Sequence, residues 1–114
     1  MKAYTKLYFE SFGFDVCDFV PSEISGGRAV DIHHIECKGM GGSPKNAKDR
    51  IENLIALTRE EHTRFGDKKQ YMFYLYARHL NYMETHGVRF DRAWILSQLK
   101  KYAPDAEEYL KNSA

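Results

Sequence analysis

The chain has 114 residues, which fits one domain with a single modest core. Lysine plus arginine number 17 against 16 aspartate plus glutamate, and this net charge of +1 excludes a uniformly basic nucleic-acid coat. The two cysteines, Cys17 and Cys37, are too few for a disulfide framework or a four-cysteine zinc site. No apolar run reaches the roughly 20 residues of a membrane span, and the N-terminus does not read as a signal peptide. We therefore expect a cytoplasmic protein that makes no membrane contact.

The first half of the chain predicts one helix and two strands. Aromatic and aliphatic residues at helical spacing over residues 4–12, followed by Gly13, predict an N-terminal helix. Residues 14–20 alternate loosely before Pro21 and predict an extended segment. The alternating pattern of residues 28–35 predicts a half-buried strand, and residues 54–57 predict a second short strand.

The second strand is followed by a clear helix start. Thr58 and Glu61 form a Thr-x-x-Glu capping box, which predicts a short helix that ends at Gly66. Asp67 is positioned to cap the next helix, over about residues 68–84. Pro104 predicts the first turn of a separate final helix, after one that begins near Asp91.

Three of the five histidines surround this strand–loop–strand–helix unit. His33 and His34 are adjacent in the first predicted strand, so their side chains are expected to point to opposite faces. One imidazole can then bind a metal ion while its neighbour acts on a proton. His62, in the predicted capped helix, is mounted rigidly enough to supply a second ligand. The sequence equally allows three ordinary surface histidines.

The order and spacing of four short segments favour the first interpretation. Asp-Ile-His-His-Ile at 31–35, Gly-Met-Gly-Gly at 39–42, Glu-Asn-Leu at 52–54 and the histidine at 62 together resemble the HNH endonuclease family. The resemblance covers about residues 28–66. It implies an α+β fold in which a ββα-metal finger (28–66) lies between an N-terminal helix and a C-terminal helical extension (67–114). The whole of residues 1–114 would then be one domain.

The resemblance also implies a role for each residue of the motif. His34 is expected to be the general base that activates water, and His33 and His62 are expected to bind one divalent metal ion. Asn53 is expected to tie the loop to the strand that carries the base. Asp31 lies two residues before His33 and is expected to orient a metal ligand by a hydrogen bond.

The expected metal is Mg²⁺ or Mn²⁺, although two imidazoles also accept Zn²⁺ or Ni²⁺. Many relatives have cysteine pairs for a structural zinc, but here Thr58 and Glu61 stand at the pair before His62. Colicin-type members have a further histidine four residues after the last one, a position held here by Gly66. We therefore expect no structural zinc and a metal site with few protein ligands.

Basic residues near the motif are candidates for contact with DNA. Arg28 is expected to approach the scissile phosphate. Further cations are expected to follow the backbone of a duplex, namely Lys38, Lys45, Lys48, Arg50, Arg64 and Lys68. Because phosphate contacts carry no sequence information, weak sequence preference and strong salt dependence follow.

These observations predict a metal-dependent endonuclease that nicks or cleaves DNA with low sequence specificity. The resemblance adds a role in phage DNA processing, and surplus aromatic surface in the C-terminal helices is compatible with a homodimer. Two alternatives stay open. One is a catalytically weak module that binds nucleic acid or a partner protein, and the other is a nuclease for RNA or branched DNA.

Overall fold

The structure is a computed structural model that describes residues 1–37 and 47–113. In chain order the described elements are α1 (Ala3–Phe12), β1 (Asp31–His34), β2 (Leu54–Leu57), α2 (Arg59–Phe65), α3 (Lys69–Thr85) and α4 (Arg92–Ser113). They form a compact α+β domain with four helices and a two-stranded sheet, which confirms the α+β part of the predicted fold class. The predicted glycine- and lysine-rich loop lies largely outside the described residues.

β1 and β2 form a two-stranded antiparallel sheet in which His33 pairs with Ile55 and His34 pairs with Leu54. All four residues of β2 are buried, so this strand is held firmly in the core. A single 3₁₀ turn at Ile51–Asn53 leads directly into it. The register therefore pairs both histidines with residues of a strand that is buried in the core.

The first strand is shorter than predicted. Arg28 forms an isolated bridge with Pro21 rather than a ladder with β2, and regular pairing begins only at Asp31. The turn over residues 22–27 brings the two flanking segments together, and the Ala29 N–H donates to the Val20 carbonyl at 2.9 Å. Residues 14–20 contain turns, so the predicted extended segment is wrong there.

α2 begins as predicted. The Thr58 hydroxyl accepts from the Glu61 N–H at 3.2 Å, and the Glu61 carboxylate accepts from the Thr58 N–H at 2.9 Å. The Ser22 hydroxyl also donates to this carboxylate, which ties the 22–27 turn to α2. Because both ends of the capping box are satisfied, the helix that carries His62 starts at a defined residue.

The core lies between the sheet and the α3–α4 pair. Tyr8 from α1, Leu75 and Tyr76 from α3 and Ile95 from α4 are fully buried in the same core cluster as the four residues of β2. In the described part of the chain, no helix is both long enough and apolar enough to cross a bilayer.

The C-terminal helices differ from the prediction at two residues. α4 runs without a break through Pro104, so there is no separate final helix. A proline inside a helix loses one backbone hydrogen bond. Side-chain contacts hold α4 on both sides of it, because Tyr102 is buried and the Tyr109 hydroxyl lies 3.0 Å from that of Tyr71. Asp67 does not cap α3, whose N-cap is Lys68, and Asp67 instead has a left-handed backbone with φ of 58°.

Candidate metal centre and catalytic cleft

All three motif histidines line one open cleft of about 220 Å³. His33 is 7% exposed and turns toward α2, where its ring centroid lies 4.6 Å from that of His62. His34 turns toward α1 and lies edge-on to the Tyr4 ring, with 4.4 Å between centroids. Both rings reach the cleft because β1 ends at His34. The structure thus brings His33 and His62 together and gives His34 separate surroundings.

His33 presents an unsatisfied nitrogen. Its Nε2 atom is buried and has no hydrogen-bond partner among the described residues. Burial lowers the pKa of His33 to about 4, and the neighbouring His62 acts in the same direction. The imidazole is therefore neutral at physiological pH and keeps a lone pair for a metal ion, the form in which histidine acts as a ligand.

His62 is oriented by a carboxylate. Its Nδ1 atom lies 3.1 Å from Oδ2 of Asp31, the first residue of β1. A carboxylate can only accept, so Nδ1 carries a proton, and in the neutral form of the ring the lone pair is then on Nε2. This carboxylate–histidine contact is the usual support for a metal-binding imidazole. Asp31 therefore makes the contact expected of it, although with His62 rather than with its near neighbour His33.

His34 is also held by a carboxylate, through a contact that no local sequence signal predicted. Its Nε2 atom lies 2.7 Å from Oδ1 of Asp49, fifteen residues away. By the same reasoning Nε2 is the protonated nitrogen, which leaves Nδ1 to accept a proton. The pair has the form of a histidine base whose tautomer is set by an aspartate.

Asn53 joins the two ends of the segment between the strands. Its side-chain nitrogen donates to the carbonyls of Glu36 and Lys48 at 3.0 and 3.1 Å, and its side-chain oxygen accepts from the Glu36 N–H at 3.0 Å. The Tyr76 hydroxyl donates to the same oxygen at 2.6 Å. Asn53 is fully buried and all of its polar atoms are bonded. It fixes the chain that leaves β1 immediately after His34.

Gly66 permits the approach of His33 and His62. A Cβ atom at this position would stand 2.5 Å from the His62 carbonyl oxygen and 2.6 Å from the His62 ring. It would also lie 3.4 Å from the His33 ring. Gly66 is thus a residue whose missing side chain makes room for the rings of His33 and His62.

We predict that Gly66→Ala displaces the His62 ring and weakens Mn²⁺ binding about tenfold, the effect typical of disturbing the surroundings of a metal ligand. Titration calorimetry measures the affinity. Gly27→Ala is a matched control, because its Cβ would contact the Thr58 methyl at 3.3 Å, outside the cleft. Unchanged Mn²⁺ affinity in Gly66→Ala would contradict the prediction.

The residues predicted to contact DNA divide into exposed side chains and side chains that already bind a carboxylate of the protein. Arg28, Arg64 and Lys68 are exposed. Lys48 is 4% exposed and pairs with the buried carboxylate of Glu36, and burial lowers its pKa. The Lys48 ammonium is thus held inside the protein by its ion pair with Glu36.

Arg50 is also engaged. Its Nε atom lies 2.7 Å from Glu52, and its guanidinium lies 4.5 Å from the centre of the Trp94 ring. Lys38 and Lys45 lie outside the described residues. Arg28, Arg64 and Lys68 are therefore the candidate cations exposed on the described surface, although the Lys68 ammonium donates to the Thr63 and Arg64 carbonyls at 2.7 and 2.9 Å.

The described residues contain no group of three His, Cys, Asp or Glu side chains that is already arranged to hold a metal ion. The geometry gives two imidazoles, one of them unsatisfied, with carboxylates near both. No protein-family model, curated protein or solved structure matches this chain. The assignment of a function therefore depends on the geometry of the cleft and on the resemblance in the motif.

Proposed function

We propose that this protein is a metal-dependent HNH-type endonuclease with a ββα-metal finger formed by β1, β2 and α2. The observation that carries the proposal is the unsatisfied, buried Nε2 of His33 beside His62, in the cleft that also contains His34. An open cleft with two imidazoles and nearby carboxylates suits a divalent cation. The metal ion would neutralise charge that develops on the phosphate oxygens during cleavage.

His33 and His62 would hold the metal ion through their Nε2 atoms. Asp31 supports this role because its contact with His62 Nδ1 fixes the tautomer that a ligand requires. With two protein ligands, positions remain for water and for a phosphate oxygen of the substrate. Mg²⁺ and Mn²⁺ are the preferred candidates, and Zn²⁺ and Ni²⁺ are compatible with the imidazoles.

His34 would take the proton of the attacking water at Nδ1. The water oxygen bonds to phosphorus, the bond from phosphorus to the 3′-oxygen breaks, and that oxygen is protonated by solvent. The products are a 5′-phosphate and a 3′-hydroxyl. Asp49 favours the imidazolium that forms, since its carboxylate lies 2.7 Å from the opposite ring nitrogen.

DNA would be held by exposed basic side chains outside the lining of the cleft. Arg28, Arg64 and Lys68 are the described residues that we assign to phosphate contacts. Lys48 and Arg50 are left out because carboxylates engage both of them. Contacts of this kind predict weak sequence preference and cleavage that slows as salt is raised.

The test is plasmid cleavage by protein first treated with a chelator and then supplied with Mg²⁺ or Mn²⁺. Conversion of supercoiled plasmid to nicked or linear DNA only after metal addition supports the proposal. Parallel reactions on single-stranded DNA, branched DNA and RNA define the preferred substrate. Binding of nucleic acid without cleavage of any substrate would contradict the proposal and favour a non-catalytic binding module.

A further inference from the structure

We infer that Asp67 is a third protein ligand of the metal ion, so that the centre is formed by two imidazoles and one carboxylate. This inference rests on the proposed function and extends its ligand set beyond the motif. Asp67 lines the same cleft as His33 and His62, and its Oδ1 atom lies 4.0 Å from the unsatisfied Nε2 of His33. His33 is more than nine-tenths buried and has no other partner for this nitrogen in the described chain.

The separation fits two ligands that share a metal ion better than it fits a hydrogen bond. At 4.0 Å the two atoms are too far apart to bond directly. Metal bonds of about 2.0–2.2 Å place neighbouring ligand atoms about 3.0–3.5 Å apart. The Asp67 side chain is 57% exposed, so rotation about its χ angles can move the carboxylate by the remaining distance of about 0.5–1 Å.

The backbone of Asp67 supports the same conclusion. It is the only described non-glycine residue with a positive φ, at 58°. Asp67 stands where a helix cap for α3 was expected, yet the N-cap is Lys68 and no side chain caps this helix. Its carboxylate is directed toward His33 instead. Unusual backbone conformations of this kind concentrate at ligand-binding positions.

The position of Asp67 directly after Gly66 explains how its carboxylate reaches the cleft. Gly66 leaves no side chain between the rings of His62 and His33, since a Cβ there would collide with His62. The next residue then reaches the cleft from the turn between α2 and α3. A carboxylate at 67 can thus fill a coordination position that Gly66 leaves without a side chain.

Two variants of Asp67 separate a ligand role from a structural one. Asp67→Asn keeps a side chain that tolerates the left-handed conformation and removes the charge. Asp67→Gly removes the ligand and relieves the backbone, so its thermal stability is expected to equal or exceed that of the wild type. Glu60→Gln is the matched control. It removes the same charge from the exposed first turn of α2 and does not line the cleft.

The measurement is Mn²⁺ affinity, followed by the electron paramagnetic resonance signal of the free ion, for these variants and for His62→Ala. The inference predicts that both Asp67 variants bind Mn²⁺ about tenfold or more weakly and that Glu60→Gln stays within about twofold. If His62→Ala loses binding while both Asp67 variants keep wild-type affinity, Asp67 is not a ligand and the two-histidine site stands. Absence of wild-type binding to Mn²⁺, Mg²⁺, Zn²⁺ and Ni²⁺ would overturn the inference together with the proposed function.

Discussion

His34→Ala is expected to lower the single-turnover rate of plasmid nicking about 100-fold to 10,000-fold, the usual contribution of a positioned general base. In the proposed mechanism Nδ1 would accept the proton of water, because the Asp49 carboxylate 2.7 Å from Nε2 favours a proton on that opposite nitrogen. Alanine removes the acceptor but leaves His33, His62 and the exposed cations in place. Mn²⁺ affinity and DNA affinity are therefore expected to stay within about twofold of wild type.

Two further variants make this result specific. His86→Ala is the matched control, because His86 is an exposed histidine at the end of α3, with its Nδ1 on the Tyr82 carbonyl. It is expected to nick at the wild-type rate. Asp49→Asn keeps a polar partner for His34 but removes the charge that favours the imidazolium, so an intermediate rate is expected. Equal rates for wild type and His34→Ala would show that His34 is not the base.

His79→Gln is expected to lower the free energy of unfolding by about 3–5 kcal/mol, as breaking a buried ion pair does. His79 is fully buried, with Nδ1 2.7 Å from a Glu23 carboxylate oxygen and Nε2 2.6 Å from the Ile51 carbonyl. Both acceptors require a proton on the nitrogen that faces them, so the ring is an imidazolium. The Tyr8 hydroxyl donates to the other Glu23 oxygen at 2.8 Å. Glutamine cannot supply the positive charge, and Glu23 is left buried without its counter-ion.

The same pair predicts a dependence of stability on pH. Burial opposes protonation, but the charge of Glu23 and hydrogen bonds to Glu23 and Ile51 outweigh it and raise the pKa of His79 above its ordinary value. The folded state therefore binds this proton more tightly than the unfolded state, where the pKa is near 6.5. The stabilisation from this proton is complete at pH values below the unfolded-state pKa. It is lost as the pH rises through the pKa of His79 in the folded state. The slope is at most about 1.4 kcal/mol per pH unit.

Urea denaturation at several pH values from 6 to 9 tests both expectations. The stability of wild type is expected to fall faster with pH than that of His79→Gln. In Glu23→Gln/His79→Gln the loss is expected to be smaller than the sum of the single losses, by about 1–3 kcal/mol. If the single variant does not fold, a ¹⁵N titration of the wild-type His79 ring decides the point. A neutral ring at pH 7 would contradict the assignment.

Local features of the sequence were sufficient to predict much of the fold. The α2 start follows from Thr58 and Glu61, because a capping box is completed within four residues. The bounds of β2 match the predicted residues 54–57, since the run is apolar and lies between strong turn and cap signals. The placement of His33 and His34 in different surroundings follows from strand alternation.

The remaining contacts could not be predicted from local sequence features, because they join residues that are far apart along the chain. Asp49 reaches His34 across fifteen residues, and Glu23 meets His79 across 56. No spacing rule connects either pair. Asp67 was predicted as a helix cap from local preference, but its backbone turns the carboxylate toward His33. The packing of α4 likewise overrides the local tendency of Pro104 to begin a new helix.

The central claim is that the two imidazoles hold the metal ion on which cleavage depends. The most direct test measures Mn²⁺ occupancy and the single-turnover nicking rate in the same samples, from metal-free protein to saturation. We predict that the two curves rise together in wild type and that His33→Ala/His62→Ala loses both. Nicking that persists in excess chelator, or at the wild-type rate in the double variant, would contradict it.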